Sequence, residues 1–466
     1  MKIKNDKFQD ECGVFGIFNE TIQDIFPVMY NALNALQHRG QESCGLAFSK
    51  EKEIGYIKGM GLVTDVFSEK LSSSIVSVAA IGHVRYSTCG ESNLRNAQPI
   101  LGSKDKCTLA LAHNGNITNS FELRKSLEDK GIRFSTTLDS EVILKLIENE
   151  RTESIERSIM NTMKLLKGGY AVLVFTGTKI ICFRDPQGIR PLCIGKLNNA
   201  FILSSESCAI NAIGGELIRD IYPGEICTVD SGGTKSSFYK NITDRKLCSF
   251  EYIYFARPDS IIDTVSVYQS RVQIGKQLWK ESKTEADIVI GVPNSGITAA
   301  IGLAREAGIP YDIGFVKNEY IGRTFIEPMQ KTREENLNIK LTVIKEVVNG
   351  KRVLVVDDSI VRGTTSKRIV DLLKIAGAKE IHFRVASPVI KCSCYNGINT
   401  PNSEELIGSK NSLDEIKEAI GADSLEYISL EGFTKCIGID NGICLSCFEM
   451  EKSYRHKNLY TSISAK

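Results

Sequence analysis

The chain has 466 residues, of which 42% are hydrophobic and 24% charged, with a formal net charge of +2. That length is more than one compact core sustains, so two domains are the default expectation and three are possible. A near-neutral balance supplies no broad electrostatic reason to expect nucleic acid or a membrane surface as partner, and no apolar run approaches the ~20 residues that span a bilayer.

Residues 1–11 (MKIKNDKFQDE) are polar throughout and lack the apolar centre of a signal peptide, so the expected location is the cytoplasm. Fourteen cysteines are scattered along the chain. In a reducing compartment they do not imply disulfides; most are read as small buried hydrophobes and a few as ligands or nucleophiles.

Behind this leader, Val14, Phe15, Ile17 and Phe18 read as a strand with Cys12 at its leading edge. A cysteine there either packs inside or acts as a nucleophile. Residues 81–88 (IGHVRYST) read as a strand running into a loop that holds Arg85. Residues 109–116 (LALAHNGN) read as a strand ending in a tight Asn114-Gly115 turn. Residues 137–141 (TLDSE) precede an apolar helical stretch and suit an N-cap and first turn around Asp139. Residues 168–174 (GGYAVLV) and 184–192 (RDPQGIRPL) look like further strands and a turn.

Taken together these pieces resemble the glutamine amidotransferase domain of the N-terminal nucleophile type. CGVFGI (12–17), LQHRGQES (36–43), GHVRYST (82–88), NAQP (96–99), AHNGNI (112–117) and DSE (139–141) occur in that family's order, and LSSES (203–207) is similar to its SSES segment. The resemblance implies a four-layered αββα sandwich with Cys12 as nucleophile and mature N-terminus. Residues 1–11 would be a propeptide, whose removal frees the α-amine of Cys12 to serve as base. It further implies that the Asn114 amide and the Gly115 N–H stabilise the tetrahedral oxyanion, that Arg85 grips the glutamine carboxylate and that Asp139 takes its α-ammonium. Cys44 and Cys89 stand where alanine, threonine or serine is expected and are read as packing substitutions.

Pro223-Gly224-Glu225 is a turn signal, and the polar stretch 230–245 follows it; the domain boundary is placed at 240/241. Beyond CSFEYIYFARPDS (248–260), residues 286–291 read as a buried strand that ends in Val292-Pro293-Asn294-Ser295-Gly296 before an alanine-rich helix. Residues 317–340 carry many charges and little apolar periodicity, which reads as a long exposed loop of the kind that is often functional.

RVLVVDDSIVRGTTS (352–366) has the same logic in stronger form. Val353–Val356 is a β-branched run suited to a parallel sheet, with Asp357 and Asp358 where the strand ends. Gly363, Thr364, Thr365 and Ser366 read as a loop of small donors leading into a helix over about 367–376. Ligands of open α/β sheets bind beyond the carboxyl ends of the strands, and such a loop offers N–H groups and hydroxyls to a phosphate. The carboxylates suit sugar hydroxyls or a hard cation such as Mg²⁺. An ordinary strand–turn–helix with a capping aspartate is the bland alternative.

The stretch closely resembles the phosphoribosyl-pyrophosphate (PRPP) motif of the type I phosphoribosyltransferases. That resemblance implies Asp357 and Asp358 at the ribose hydroxyls and metal, and Gly363, Thr364, Thr365 and Ser366 around the 5′-phosphate. Residues 292–296 resemble the pyrophosphate loop, with Ser295 at PRPP and Mg²⁺ and Asn294 where aspartate is expected. Residues 317–340 resemble a lid over PRPP that includes Lys317 and excludes water on closing.

Cys444-Leu445-Ser446-Cys447 reads as a zinc half-site, a redox pair, an iron–sulfur half-site or coincidence. A redox pair wants a thioredoxin-like strand–helix setting, which the sequence does not show. Cys248, Cys392, Cys394 and Cys436 could complete a site. Over essentially its whole length the chain resembles the amidophosphoribosyltransferase family, iron–sulfur-containing branch. There the resemblance puts a [4Fe–4S] cluster on Cys248, Cys394, Cys444 and Cys447, favoured over zinc, with Cys392 as the substitute for Cys394 and a structural or oxygen-sensing role. It implies transfer of the glutamine amide nitrogen to PRPP, giving 5-phosphoribosylamine, glutamate and pyrophosphate, the first committed step of purine (IMP) synthesis. Purine nucleotide feedback and a homo-oligomer, dimer or tetramer, are implied as well. A sugar-phosphate aminotransferase would share only the N-terminal half and lack 357–366. A regulator keeping the PRPP fold for sensing would not need Cys12, Arg85, Asn114 and Asp139.

Overall fold

The computed structural model describes residues 12–51, 53–68, 74–86, 90–104, 107–150, 152–239, 245–318, 341–398, 400–439 and 442–449. The expected propeptide, Ser87 to Cys89 and most of the expected lid (319–340) lie outside them.

The first half builds strands β1 (Gly13–Asp24), β2 (Ser43–Lys50), β3 (Glu53–Met60), β4 (Val76–Arg85), β5 (Ile100–Lys104), β6 (Cys107–Ile117), β7 (Gly168–Phe175), β8 (Ile180–Arg184), β9 (Cys193–Leu197), β10 (Ala200–Ser204), β11 (Glu216–Asp220), β12 (Glu225–Asp230) and β13 (Gly233–Phe238). They form one sheet in the order β11-β9-β10-β1-β4-β2-β3 and a second in the order β13-β12-β8-β7-β6-β5.

Alternation along the strands decides which face each residue covers. On β1, Val14 and Phe18 join Leu173 and Phe175 of β7 in a core between the sheets. Phe15 and Ile17 point the other way, into a core with Phe26, Met29 and Leu33 of helix α1 (Phe26–Ala35). Val172 and Val174 face outward onto the helix Asp139–Asn149 through Ile143 and Ile147. Three apolar layers thus separate helix, sheet, sheet and helix, which is the expected αββα sandwich.

The second half opens with β14 (Leu247–Cys248), then a single π-helical turn at Glu251–Phe255, β15 (Ile261–Ile262), β16 (Val265–Ser266) and a helix at Val267–Glu281. β17 (Ile288–Gly291), β18 (Phe315–Lys317), β19 (Leu341–Val343), β20 (Arg352–Asp357), β21 (Glu380–Val385), β22 (Ser424–Tyr427) and β23 (Ile443–Cys444) follow. β17, β20, β21 and β22 form a parallel sheet in the order β17-β20-β21-β22. Val353 and Val355 of β20 pack on one face; Leu354 and Val356 pack on the other, against the helix Gly296–Ala307. A strand buried on both faces is the continuous apolar run that the sequence shows.

Three local expectations are corrected. Asn114-Gly115 is not a turn: β6 runs on to Ile117 and pairs with β7 from Ala110 to its end. Gly115 has φ +140°, and a Cβ there would lie 2.1 Å from the Gly169 carbonyl oxygen, so glycine is kept for close strand approach. Asp139 is the first helical residue and not the N-cap, which is Leu138. Thr364 to Ser366 are not loop: the helix spans Thr364–Ile375, with Gly363 before it at φ +84°. The hydroxyls sit on its first turn, where the N–H groups are unpaired by the helix.

Candidate functional site

Strand pairing assembles the first site. Gly13 lies opposite Val84, and Ser43 opposite Arg85, so Cys12 and Arg85 emerge at the same end of neighbouring strands. Arg85 closes β4 and does not belong to a loop, a further correction. Asn114 is carried over from the second sheet: its Nδ2 donates to Ser205 Oγ at 3.3 Å, and that hydroxyl accepts from Val14 N–H at 2.9 Å. Asp139 is fixed by Ile117 N–H at 2.9 Å and Ser140 N–H at 2.8 Å.

Cys12 is buried, its Sγ donating to the Tyr86 carbonyl at 3.4 Å. Burial pushes its thiol up to about 11, while Arg85 and Arg39 pull it down and Asp139 pushes it up; all three charges therefore act on the same sulfur. Burial holds His83, to about 3, and His113 neutral, and each has a partner: His83 Nε2 contacts the His113 carbonyl at 3.0 Å and His113 Nδ1 the Ser140 hydroxyl at 3.1 Å. The other ring nitrogen of each, His83 Nδ1 and His113 Nε2, is buried without a hydrogen-bond partner.

The second site lies where β17, β20 and β21 end. Asp357 and Asp358 are fully buried. Asp357 accepts its neighbour's N–H at 2.8 Å, and Asp358 accepts from Ser359 Oγ at 2.6 Å and from Ser295 Oγ. Gly296 must be small, because a Cβ would lie 2.4 Å from the Val356 carbonyl oxygen; that closeness brings Ser295 to the aspartates. Ser295, Asp357 and Asp358 form a hard oxygen set of the kind Mg²⁺ prefers. Lys317 is exposed at the end of β18, paired with Leu341, at the mouth of 319–340.

A buried ion network that the sequence reading missed joins the two halves. Arg39 donates through Nε to the Cys12 carbonyl at 3.0 Å, and its guanidinium binds Glu206 and, at 2.8 and 2.9 Å, Glu251. Glu206 also accepts from Arg257 N–H at 3.0 Å and Ser260 Oγ at 2.7 Å. Arg271, fully buried, clamps the far side of the π turn through the carbonyls of Tyr252 at 2.7 Å and Ala256 at 2.8 Å. Asp358, Glu206 and Glu251 all act on its charge.

The four expected cysteine ligands come together. Cys248 and Cys444 are register partners in the parallel β14–β23 pair. Cys394 and Cys444 act on the Cys248 thiol, and Cys248, Cys394 and Cys444 on that of Cys447. A bond from Cys447 and N–H groups of Ile398 and Asn396 pull Cys394 down to about 6. Cys392 contacts the Glu449 carbonyl at 3.9 Å, and only Lys391 acts on its thiol besides burial; Cys436 sits among Glu281, Lys435 and Lys280. Cys392 nonetheless lies close by, its N–H donating to the Cys447 carbonyl at 3.1 Å. Among the described residues, the group of three ligand atoms found within 4.8 Å of one another is His38, Glu206 and Cys208, not these cysteines. Cys394 and Cys447 lie within hydrogen-bonding reach of each other, and a set of four thiolates suits either a tetrahedral zinc ion or an iron–sulfur cluster.

Residues 83–212 match the glutamine amidotransferase domain family and residues 269–391 the phosphoribosyl transferase domain family. The amidophosphoribosyltransferase of Bacillus subtilis is 45% identical over 94% of this chain and 93% of its own. That of Archaeoglobus fulgidus is 46% identical over 94% and 96%. A solved structure of the B. subtilis glutamine PRPP amidotransferase, complexed with ADP and GMP, superposes with a TM-score of 0.88 over 94% of this chain and 96% of that one. The chain is an enzyme of the amidophosphoribosyltransferase family, which moves the amide nitrogen of glutamine to PRPP in purine biosynthesis.

Proposed function

We propose that Cys12 releases ammonia from glutamine and that the parallel-sheet site adds it to the anomeric carbon of PRPP. The observation that carries this reading is Arg39, which holds the carbonyl of Cys12 and Glu251 of the second half at once. One buried guanidinium thereby ties the two chemistries together.

With its thiol held neutral by burial, Cys12 needs a proton acceptor, and its own α-amine, free once residues 1–11 are removed, serves as that base, as the family resemblance implies. Arg85 takes the substrate carboxylate and Asp139 its α-ammonium. The Asn114 amide and Gly115 N–H stabilise the oxyanion. In the second site Gly363 and the hydroxyl turn Thr364, Thr365 and Ser366 cradle the 5′-phosphate, and Asp357 and Asp358 hold the ribose. Ser295, Asp357 and Asp358 would hold Mg²⁺, which neutralises charge on the leaving pyrophosphate. Lys317 meets the same anion from the base of the lid. We assign residues 12–240 to the glutaminase and 241–466 to the transferase, in keeping with β13 ending at Phe238 and β14 starting at Leu247.

The convergence of Cys248, Cys394, Cys444 and Cys447, at the positions where the family resemblance puts cluster ligands, supports one [4Fe–4S] cluster. Such a cluster would supply a covalent clasp between the chain's end and the junction. No helix among the described residues is long and apolar enough to cross a membrane; we place the enzyme in the cytoplasm, as a dimer or tetramer. The ADP and GMP of the B. subtilis complex support feedback by purine nucleotides here. The test is pyrophosphate release from PRPP that depends on glutamine and is absent with other sugar phosphates. Release without any nitrogen donor, or with any sugar phosphate, would overturn the assignment.

A further inference from the structure

The segment from Cys394 to Ile398 faces two ways. Toward the cysteines, the main-chain N–H groups of Asn396 and Ile398 donate to Cys394 Sγ at 3.3 and 3.4 Å. The Asn396 side chain donates through Nδ2 to Cys444 Sγ at 3.3 Å. Toward the glutaminase, the Asn396 carbonyl accepts from Gly169 N–H at 2.9 Å, and the Gly397 carbonyl accepts from the Arg190 guanidinium at 3.1 Å. Gly397 has φ +101°, and a Cβ there would lie 2.7 Å from the Asn116 carbonyl oxygen. Asn116 and Gly169 are opposite each other in the β6–β7 pair, directly beyond Gly115.

We propose that this loop is a positioning device through which the four-cysteine site fixes the strand carrying Asn114 and Gly115. The inference rests on reading those two as oxyanion donors and the cysteines as cluster ligands. Sulfurs fixed by iron would fix the loop that donates to them. The loop in turn holds the end of β6 and its partner Gly169. Oxyanion donors act only within a few tenths of an ångström of the right place, so a strand end released by the loop loses turnover before it loses substrate. Asn396 has the central part, donating to two ligand sulfurs and accepting from the glutaminase main chain.

Gly397→Ala tests the contact with the strand, because a methyl group forces the loop off β6. Turnover with glutamine should fall about tenfold, with KM for glutamine changed less than twofold. Ammonia-dependent synthesis, iron and acid-labile sulfide should stay at wild-type levels. Unchanged turnover, or an equal fall with both nitrogen donors in a folded protein, overturns the proposal. Asn396→Leu keeps the size and removes the side-chain donor, so the cluster's midpoint potential should move negative; an unmoved potential removes Asn396 from the account. Should Gly397→Ala fail to fold, stripping iron anaerobically from the wild-type enzyme with a chelator decides. Glutamine-dependent activity should then fall while ammonia-dependent activity persists, and loss of both in step overturns the link. Anaerobically purified wild-type protein without iron or sulfide would sink the cluster reading and the sulfur half of this proposal, leaving the Gly397→Ala kinetics to judge the loop's hold on the strand.

Discussion

At Cys12, burial and charge work against each other: desolvation keeps the sulfur a thiol, while Arg85 and Arg39 favour the thiolate. Cys12→Ala should abolish synthesis from glutamine and leave synthesis from high ammonia, measured as PRPP-dependent pyrophosphate release with each donor. Loss of both with the fold intact would contradict the division of labour. The carbonyl of the same residue depends on Arg39, whose guanidinium has carboxylates on two sides. Glu206→Gln removes one of two charge partners from a buried arginine that keeps Glu251, so the cost should stay below the about 3–5 kcal/mol of leaving a buried charge unpaired. Burial pushes the Glu206 carboxyl up, but His38 and Arg39 outweigh it and hold it well below its usual range. Since the folded value is the lower one, this stabilisation is complete above the ordinary glutamate value of about 4.3 and is lost as pH falls through the folded value. Denaturant unfolding of wild type and Glu206→Gln should therefore differ most near neutrality and converge in acid; a constant gap would disprove the linkage.

At the level of elements, the strand end Asp357-Asp358 and the helix start Gly363–Ser366 are proposed to divide one substrate, the carboxylates taking ribose and metal and the hydroxyls the 5′-phosphate. Replacing both aspartates with asparagine removes charge from ribose and metal without touching the glutaminase. Synthesis from glutamine and from ammonia should fall together, with glutamine hydrolysis itself retained. Ammonia-dependent turnover at wild-type PRPP affinity would refute the assignment. β20 was legible because a strand buried on both faces must be apolar without alternation, and its β-branched run says so. The start of the following helix was not, because threonine and serine favour caps and turns by competing for the backbone; here Gly363 takes the turn and the hydroxyls continue as helix. Asn114-Gly115 misled for the opposite reason. The pair is a strong hairpin signal, yet Gly168 and Gly169 across the ladder let the strand pass straight through. Arg39, Glu206 and Glu251 left no local signal at all. Scattered charges read as surface, and only the folded junction shows them buried against one another.

At the scale of the whole molecule, the chain's end returns to the junction. β23 pairs with β14, so Cys444 lies beside Cys248 although almost all of the transferase half separates them. The Cys248 N–H also binds the Ile189 carbonyl of the glutaminase at 3.3 Å, and Phe448, next to Cys447, stacks on Phe250 with ring centres 5.9 Å apart. A shared cluster would close a loop of well over 100 residues, and cross-links of that span restrict the unfolded chain by on the order of 4–5 kcal/mol. Ligand loss should then loosen the junction as a unit, because metal–thiolate bonding is coupled to folding. Cys447→Ser is expected to give protein with little iron, lowered stability and poor solubility. Cys436→Ser should be nearly silent, since Cys436 stands apart from the four. Air should bleach a brown chromophore and release iron and sulfide, with glutamine-dependent activity lost as the cluster goes and ammonia-dependent activity outlasting it. Full iron in Cys394→Ser but not in Cys392→Ser would show that the neighbouring cysteine is the ligand. Stoichiometric zinc without acid-labile sulfide in anaerobically purified protein would replace the cluster with a single ion held by the same four sulfurs.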